Sequence, residues 1–430
     1  MTASDGAALA AAVESRLSFA DDVFEAVRRE TTDVEGVTRP AWSPQDQRAA
    51  EIVAEAARGL DLEVRYDPTG NLYCTLPGRN RAAPQILTGS HLDSVPTGGH
   101  YDGLAGAIAG LTMLAAFRDN GLTPDCDVTV MGIRGEESVW YGIAYVGSRL
   151  AVGTLPLDQL DTLRRGDTGR SLAEHMAEVG VDVRALAAAG PEISAANTKA
   201  FFELHIEQGP VLVGEGLAVA IPTKIRGNVR FPYARCLGGY DHSGATPRAY
   251  RHDAALAVVE LLRRLDEHWI AAEAACVPDT VLTVGKVFTD AAHHAMTKVP
   301  GRCDFSLNFG GTTQDFLDGC RDETRALADE IAAARRVRFE LGDCVGSDPT
   351  PLDPGLRGVL IGAADGLAIP YREFATVGHD ASIFARAGIP SAMVLIRNAH
   401  GSHNPDEAMA LSDFGEGTKV LTAAIAAQAG

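Results

Sequence analysis

Short apolar runs alternate along the chain with stretches whose apolar residues recur at helical spacing. The stretch "SPQDQRAAEIVAEAARGL" predicts a helix with Ser43 as its N-cap, followed by strands at "LEVRYD" and "NLYCTLPG". Next come a strand at "PQILTGS", a helix from about Leu104 to Asp119, and a strand opening "CDVTVMGIRGEE". Strand, helix, strand in this order predicts an α/β fold with a mostly parallel sheet, and such sheets collect ligands at the carboxyl ends of their strands. His91 and the pair Glu136–Glu137 fall directly after two of these runs.

From about Thr223 to Cys344 the rhythm changes. "NVRFPYARCL" is followed by the helix "DAALAVVELLRRLDEHW", the strands "TVLTVGKVF" and "GRCDFSLNF", the helix "TTQDFLDGCRDETRALADEIAAARR" and the strand "VRFEL". That β-α-β-β-α-β order is the ferredoxin-like split motif. It predicts an inserted α+β domain at 223–345 within a catalytic domain at 1–222 and 346–430. The large domain resumes with a helix near Gly355 to Asp365, the strand "SAMVLI" and a helix near the end of the chain.

A length of 430 residues fits two domains, since one core stops growing below that size. With 46% hydrophobic residues the chain has the composition of an ordinary folded protein, and no apolar run approaches the roughly 18 residues of a membrane helix. Acids stand where a signal peptide needs a basic segment, so a cytoplasmic location is expected. The seven cysteines are scattered and form no C-x-x-C pair, which argues against disulfides and against a thiolate zinc site. A net charge of -19 disfavours nucleic acid and anionic membrane as partners, while a locally positive site could still take a small anionic substrate.

Candidate chemistry begins at "GSHLDSVPTGGHYDG", where His91 and Asp93 end an apolar run and a glycine-rich loop delivers Asp102 to the start of a helix. In "RGEESVWYG" the side chains of Glu136 and Glu137 point apart, so one carboxylate can bind a metal while the other handles protons. "FFELHIEQGP" adds His205 and "HGSHNPDEAM" adds His403. Taken together, His91, Asp102, Glu137, His205 and His403 offer imidazole and carboxylate donors without thiolate. That set suits two divalent ions per subunit, Zn2+ first, with Mn2+, Co2+ or Ni2+ as alternatives. Asp93 is placed to orient the His91 ring and Asp102 to bridge the two ions.

"GSHLDSVPTGGHYDG", "RGEES", "ELHIEQGP", "DHSGATPRAYRHDA", "GHDASIFA" and "GSHNPDEAM" resemble, in order and through nearly the whole chain, the hydantoinase/carbamoylase amidases of the M20 metallopeptidase superfamily. That branch includes N-carbamoyl-L-amino acid hydrolases, β-ureidopropionases, and allantoate and ureidoglycolate amidohydrolases. The resemblance implies a mixed-sheet dinuclear metallohydrolase domain with an inserted ferredoxin-like dimerisation (lid) domain. His91 and His205 would bind one ion, Glu137 and His403 the other, and Asp102 both. Glu136 would be the general base, and His242 would reach the partner subunit's site in a homodimer to stabilise the oxyanion. Gln208 and His379 resemble substrate-contacting positions.

The sequence departs from the family at the substrate. Members that hold an amino-acid carboxylate use an Asn and an Arg where this chain has Thr297 and Gly310, and Trp140 replaces an Arg after the two glutamates. Lys224, Lys298 or Arg397 could supply the missing cation; Arg397 is preferred because it leaves a core strand shortly before His403. Trp140 fits either a pocket wall or a core. The expected function is hydrolysis of a linear amide or ureido C–N bond in a small molecule, an N-carbamoyl amino acid or related ureido acid foremost. The alternatives are an M20-type aminoacylase or peptidase, and a non-catalytic metal-binding homologue.

Overall fold

The computed structural model describes residues 3–430. By contact density the chain divides into two units: Met1–Thr223 with Pro351–Phe374 and His379–Gly430, and Lys224–Thr350 with Ala375–Gly378.

The first unit is built on an eight-stranded mixed sheet in the order Glu63–Tyr66, Leu72–Leu76, Val128–Ile133, Gln85–His91, Thr198–Ile206, Ser391–Ile396, Val219–Ala220, Tyr371–Arg372. Its centre is parallel, with Gln85–His91 paired to both Val128–Ile133 and Thr198–Ile206, and Thr198–Ile206 paired to Ser391–Ile396. The strands Val128–Ile133 and Ser391–Ile396 are buried at every position. Burial at every position of mostly apolar strands is what a parallel sheet covered on both faces requires.

The helix Leu104–Asp119 is buried from Leu104 through Phe117, which explains why its sequence is apolar all round. Gly106 allows it to lie against the sheet, because a Cβ there would meet the Leu204 carbonyl oxygen at 2.2 Å. The helix Pro44–Gly59 begins at Ser43, whose hydroxyl accepts the Asp46 N–H at 3.2 Å, with Pro44 in its first turn. A satellite core gathers Trp42, Trp140, Tyr141, Leu160, Leu172 and Met176.

The second unit carries an antiparallel sheet in the order Val281–Thr289, Arg302–Gly311, Gly227–Leu237, Arg338–Glu340. The helices Ala254–Ala274 and Gln314–Arg335 share its core, which includes Phe231, Phe305, Phe309, Leu261 and Ile331. The chain order is strand, helix, strand, strand, helix, strand.

Candidate metal centre

Four adjacent strands of the large sheet deliver the predicted ligands from their carboxyl ends. His91 is the last residue of its strand and lies opposite Ile133, the last residue before the Arg134–Glu137 turn. His205 lies next to the end of the neighbouring strand, opposite Leu395. The strand bearing Leu395 ends at Ile396 and runs on into the loop bearing His403. Asp102 precedes the buried helix by two residues, and Gly103 has a left-handed φ of 68°. A Cβ on Gly103 would fall 2.5 Å from the His91 ring, so only glycine permits this approach.

The ligand atoms form three overlapping groups: His91, Asp102 and His205; Asp102, Glu137 and His403; and His91, Glu136 and Glu137. Within each group the potential donor atoms lie within 4.8 Å of one another. Asp102 Oδ1 is 3.0 Å from His205 Nε2 and 3.5 Å from His91 Nε2. Asp102 Oδ2 is 3.1 Å from His403 Nε2, which is 3.3 Å from Glu137 Oε1. Each oxygen of one carboxylate thus faces a different group.

Main-chain carbonyls fix two imidazole orientations. His91 Nδ1 is 3.0 Å from the Asp93 carbonyl and His205 Nδ1 is 2.9 Å from the Ile206 carbonyl. A carbonyl only accepts, so Nδ1 carries the proton in both rings and each Nε2 presents a lone pair in the neutral form. The two Nε2 atoms are 3.4 Å apart, and while both rings are neutral the buried Asp102 Oδ1 beside them receives no hydrogen bond. Lone pairs converging in this way call for a cation among them.

Charge makes the same demand. Asp93, Asp102, Glu137, Glu203, Asp380 and Glu407 are all buried in this unit. The buried guanidinium of Arg39 feels the attraction of Asp46, Asp93, Glu407 and Asp102, a single positive charge against several acids. Hydrogen bonds to Asp102 and Glu137 lift His403 to about 10. Burial disfavours the charged form of His91, yet Asp102 and Asp93 hold its pKa well above the ordinary value. Burial likewise opposes ionisation of Asp102, but hydrogen bonds from His205, His403 and His91 outweigh it and keep that carboxyl well below the usual range. A divalent ion would satisfy the demand that protons otherwise meet, and imidazole with carboxylate donors fits Zn2+, Mn2+, Co2+ or Ni2+.

Burial, reinforced by Glu137, pushes the half-buried Glu136 carboxyl well above its ordinary value, against the attraction of His91. The carboxylate of Asp93 accepts the N–H groups of Glu136 and Glu137 at 3.1 and 3.2 Å. It therefore shapes the turn that carries both acids, and it also lies 3.6 Å from His91 Nδ1, beside the closer Asp93 carbonyl. Gln208, at a left-handed φ of 64°, donates from Nε2 to Asp102 Oδ2 at 3.0 Å. The His379 ring is buried with its centroid 4.4 Å from that of His205.

Other expected positions are differently engaged. Arg397 forms a two-pronged pair with Asp413, Nε to Oδ2 and Nη2 to Oδ1, both at 2.8 Å. Gripping a substrate carboxylate through that fork would first require breaking the pair, so a clamp by Arg397 is not what this geometry offers. Trp140 is a core residue, not a pocket wall: it is buried in the satellite core and its indole N–H donates to the Ser94 carbonyl at 2.8 Å. In the second unit, Lys224 Nζ is 3.4 Å from the Thr312 carbonyl and Lys298 donates to the His293 carbonyl at 2.8 Å.

His242, also in the second unit, is exposed, and its Nδ1 accepts the N–H groups of Gly244 and Ala245 at 3.2 Å each. Its Nε2–H is therefore a donor in the neutral ring. Thr297 is its neighbour: the Thr297 carbonyl accepts the Ser243 N–H at 2.9 Å, and Lys298 pairs with His242 in register.

The structure adds residues that sequence patterning passes over. Glu203 accepts the Ser90 hydroxyl at 2.7 Å and the Ala381 N–H at 2.8 Å, joining the strand of His91 to the helix after His379. Asp380 accepts the Ser148 hydroxyl at 2.5 Å. Glu407 contacts the Asp102 loop. An acid inside an apolar strand and an acid closing the His403 motif were the available signals.

A profile of Peptidase family M20/M25/M40 matches residues 87–427. The chain is 32% identical over 390 residues to an N-carbamoyl-L-amino acid amidohydrolase of Geobacillus stearothermophilus, covering 90% of this chain and 92% of the relative. It is 29% identical over 393 residues to the allantoate amidohydrolase of Escherichia coli strain K12, covering 90% and 91%. Among solved structures, a hydantoinase/carbamoylase family amidase from Burkholderia multivorans superposes with a TM-score of 0.87 at 26% identity, covering 96% of this chain and 97% of that one.

Proposed function

The chain belongs to peptidase family M20/M25/M40, and from that premise we propose that it is a divalent-metal-dependent hydrolase of linear amide or ureido C–N bonds whose substrates are N-carbamoyl amino acids or related ureido acids. The observation that carries this reading is the carboxylate of Asp102 shared between two ligand groups, with Glu136 beside them. Similarity to a carbamoyl-amino-acid amidohydrolase and an allantoate amidohydrolase over nine-tenths of the chain supports the ureido bond as the target.

His91 and His205 would hold one ion, Glu137 and His403 a second, and Asp102 both. Such ions supply Lewis-acid polarisation of the scissile carbonyl and acidify a water. Glu136 takes the proton of the attacking water and returns it to the leaving nitrogen. A carboxyl whose pKa burial has raised is suited to both halves of that transfer. Asp93 holds Glu136 in place through the main chain, and Gln208 and His379, beside Asp102 and His205, would contact the substrate. An N-carbamoyl amino acid and water would give the amino acid, carbon dioxide and ammonia.

We further propose a homodimer in which His242 donates its Nε2–H to the oxyanion in the partner's site. Its support is the edge strand Val281–Thr289, which exposes Val284, Val287 and Phe288 and leaves one side of the second unit's sheet without a pairing partner among the described residues. An exposed apolar edge is a template for pairing with another copy.

The test is a panel of N-carbamoyl, N-acyl and simple amide substrates offered to the metal-loaded protein. Ammonia released from N-carbamoyl amino acids supports the reading. A free carboxylic acid released from N-acyl amino acids alone would assign an aminoacylase instead.

A further inference from the structure

Glu407 lies outside the ligand groups yet touches both loops that deliver them. Its Oε1 accepts the main-chain N–H of Tyr101 at 2.8 Å and of Asp102 at 3.3 Å. Its Oε2 is 2.6 Å from the Ser402 hydroxyl, which is itself 2.7 Å from Asp102 Oδ2. A single hydroxyl thus stands between the two carboxylates, next to His403 in the chain.

Two features make the contact a built one. Ala399 and Ala408 exchange both main-chain hydrogen bonds, at 2.7 and 3.1 Å, and so close the loop from which Glu407 projects. On the other side is Gly99, where an added Cβ would lie 2.0 Å from Glu407 Cδ and 2.2 and 2.3 Å from its oxygens. The φ of Gly99 is not left-handed. Space for the Glu407 carboxylate, not backbone conformation, is therefore what asks for glycine at this position.

We propose that Glu407 is a positioning residue, clamping the Asp102 main chain and the Ser402–His403 loop into one unit so that the aim of the Asp102 carboxylate, and with it divalent-ion affinity, depends on it. The inference rests on the reading that Asp102 and His403 hold a divalent ion. Glu407 itself binds none: its oxygens are spent on two N–H groups and a hydroxyl.

The experiment measures Zn2+ and Co2+ dissociation constants by competition with a chromophoric chelator, well below the melting temperature. It uses the full chain and the variants E407A, E407Q, G99A and G99A/E407A. Partners of metal ligands typically carry about 10- to 100-fold in affinity. E407A and G99A should each weaken binding by about that factor, with E407Q between them and the wild type because its amide oxygen still accepts both N–H groups. The double variant should match E407A, since the methyl added by G99A then enters space the carboxylate has left. Should E407A fail to fold, G99A decides, because it displaces the carboxylate without removing it. Affinities within about twofold of wild type in E407A and G99A, or a G99A effect that adds in full to that of E407A, would overturn the clamp alone. A wild-type chain that binds neither ion would overturn the metal reading and the clamp together.

Discussion

The carboxylate of Asp93 receives the main-chain N–H of Glu136 at 3.1 Å. Because the same carboxylate also accepts the Glu137 N–H, one side chain sets the positions of the proposed base and of a proposed ligand. Asp93→Asn keeps the size of the side chain but turns an amide donor toward one of those two donors. It should lower kcat by about 10²-fold, the cost of a small misplacement of reacting groups. Steady-state kinetics on metal-matched samples checks this, and an unchanged kcat would remove Asp93 from the positioning role.

Arg397 should prove a stability residue. Its paired fork on Asp413 is partly exposed, so solvent screening limits its contribution to about 1 kcal/mol. Arg397→Met should lower the melting temperature by a few degrees while kcat/KM stays within about threefold. A loss confined to substrates bearing a carboxylate, absent for the neutral amide analogue, would return Arg397 to the binding site.

Asp380 gives the metal-free protein a pH dependence of known sign. Burial, with Glu203 nearby, pushes its carboxyl up to about 8 against the hydrogen bond from Ser148. Unfolded, an Asp titrates near about 4. Between those values the folded state keeps a proton that the unfolded chain has lost, so stability falls as pH rises through the window and the loss is complete above about 8. Asp380→Asn should therefore show a flatter decline in melting temperature from about pH 5 to about pH 8 than the wild type. An equal decline in both would place the titration elsewhere.

Subunit mixing tests the loan of His242. Neither Glu136→Gln nor His242→Ala homodimers should turn over well. A heterodimer of the two variants would assemble one site with both residues intact, so activity should return after verified subunit exchange. Continued inactivity would mean that each site is complete within one chain.

Part of the candidate cluster was legible because its members stand at breaks in the apolar pattern where strands end: His91 after "ILTGS", Glu136 and Glu137 after "VTVMGI", His403 shortly after "SAMVLI". Parallel strands place their carboxyl ends side by side, so residues far apart in sequence meet on one edge. The long helices and central strands were legible for the same reason, each being a sustained period. Contacts made by the main chain were not. No pattern shows that the Asp93 carbonyl accepts from the His91 ring, or that Gly99 makes room for Glu407. Nor does an Arg leaving a strand reveal that an Asp sixteen residues on will occupy it.

The central claim is that Glu136 moves the proton at a metal-dependent site. Its most direct test is turnover of an N-carbamoyl-L-amino acid by wild type and Glu136→Gln at equal, measured metal content. With the groups His91–Asp102–His205 and Asp102–Glu137–His403 intact, the variant should bind the ions as the wild type does and lose about 10²-fold or more in kcat. Wild-type turnover by a fully metal-loaded Glu136→Gln protein would contradict the account.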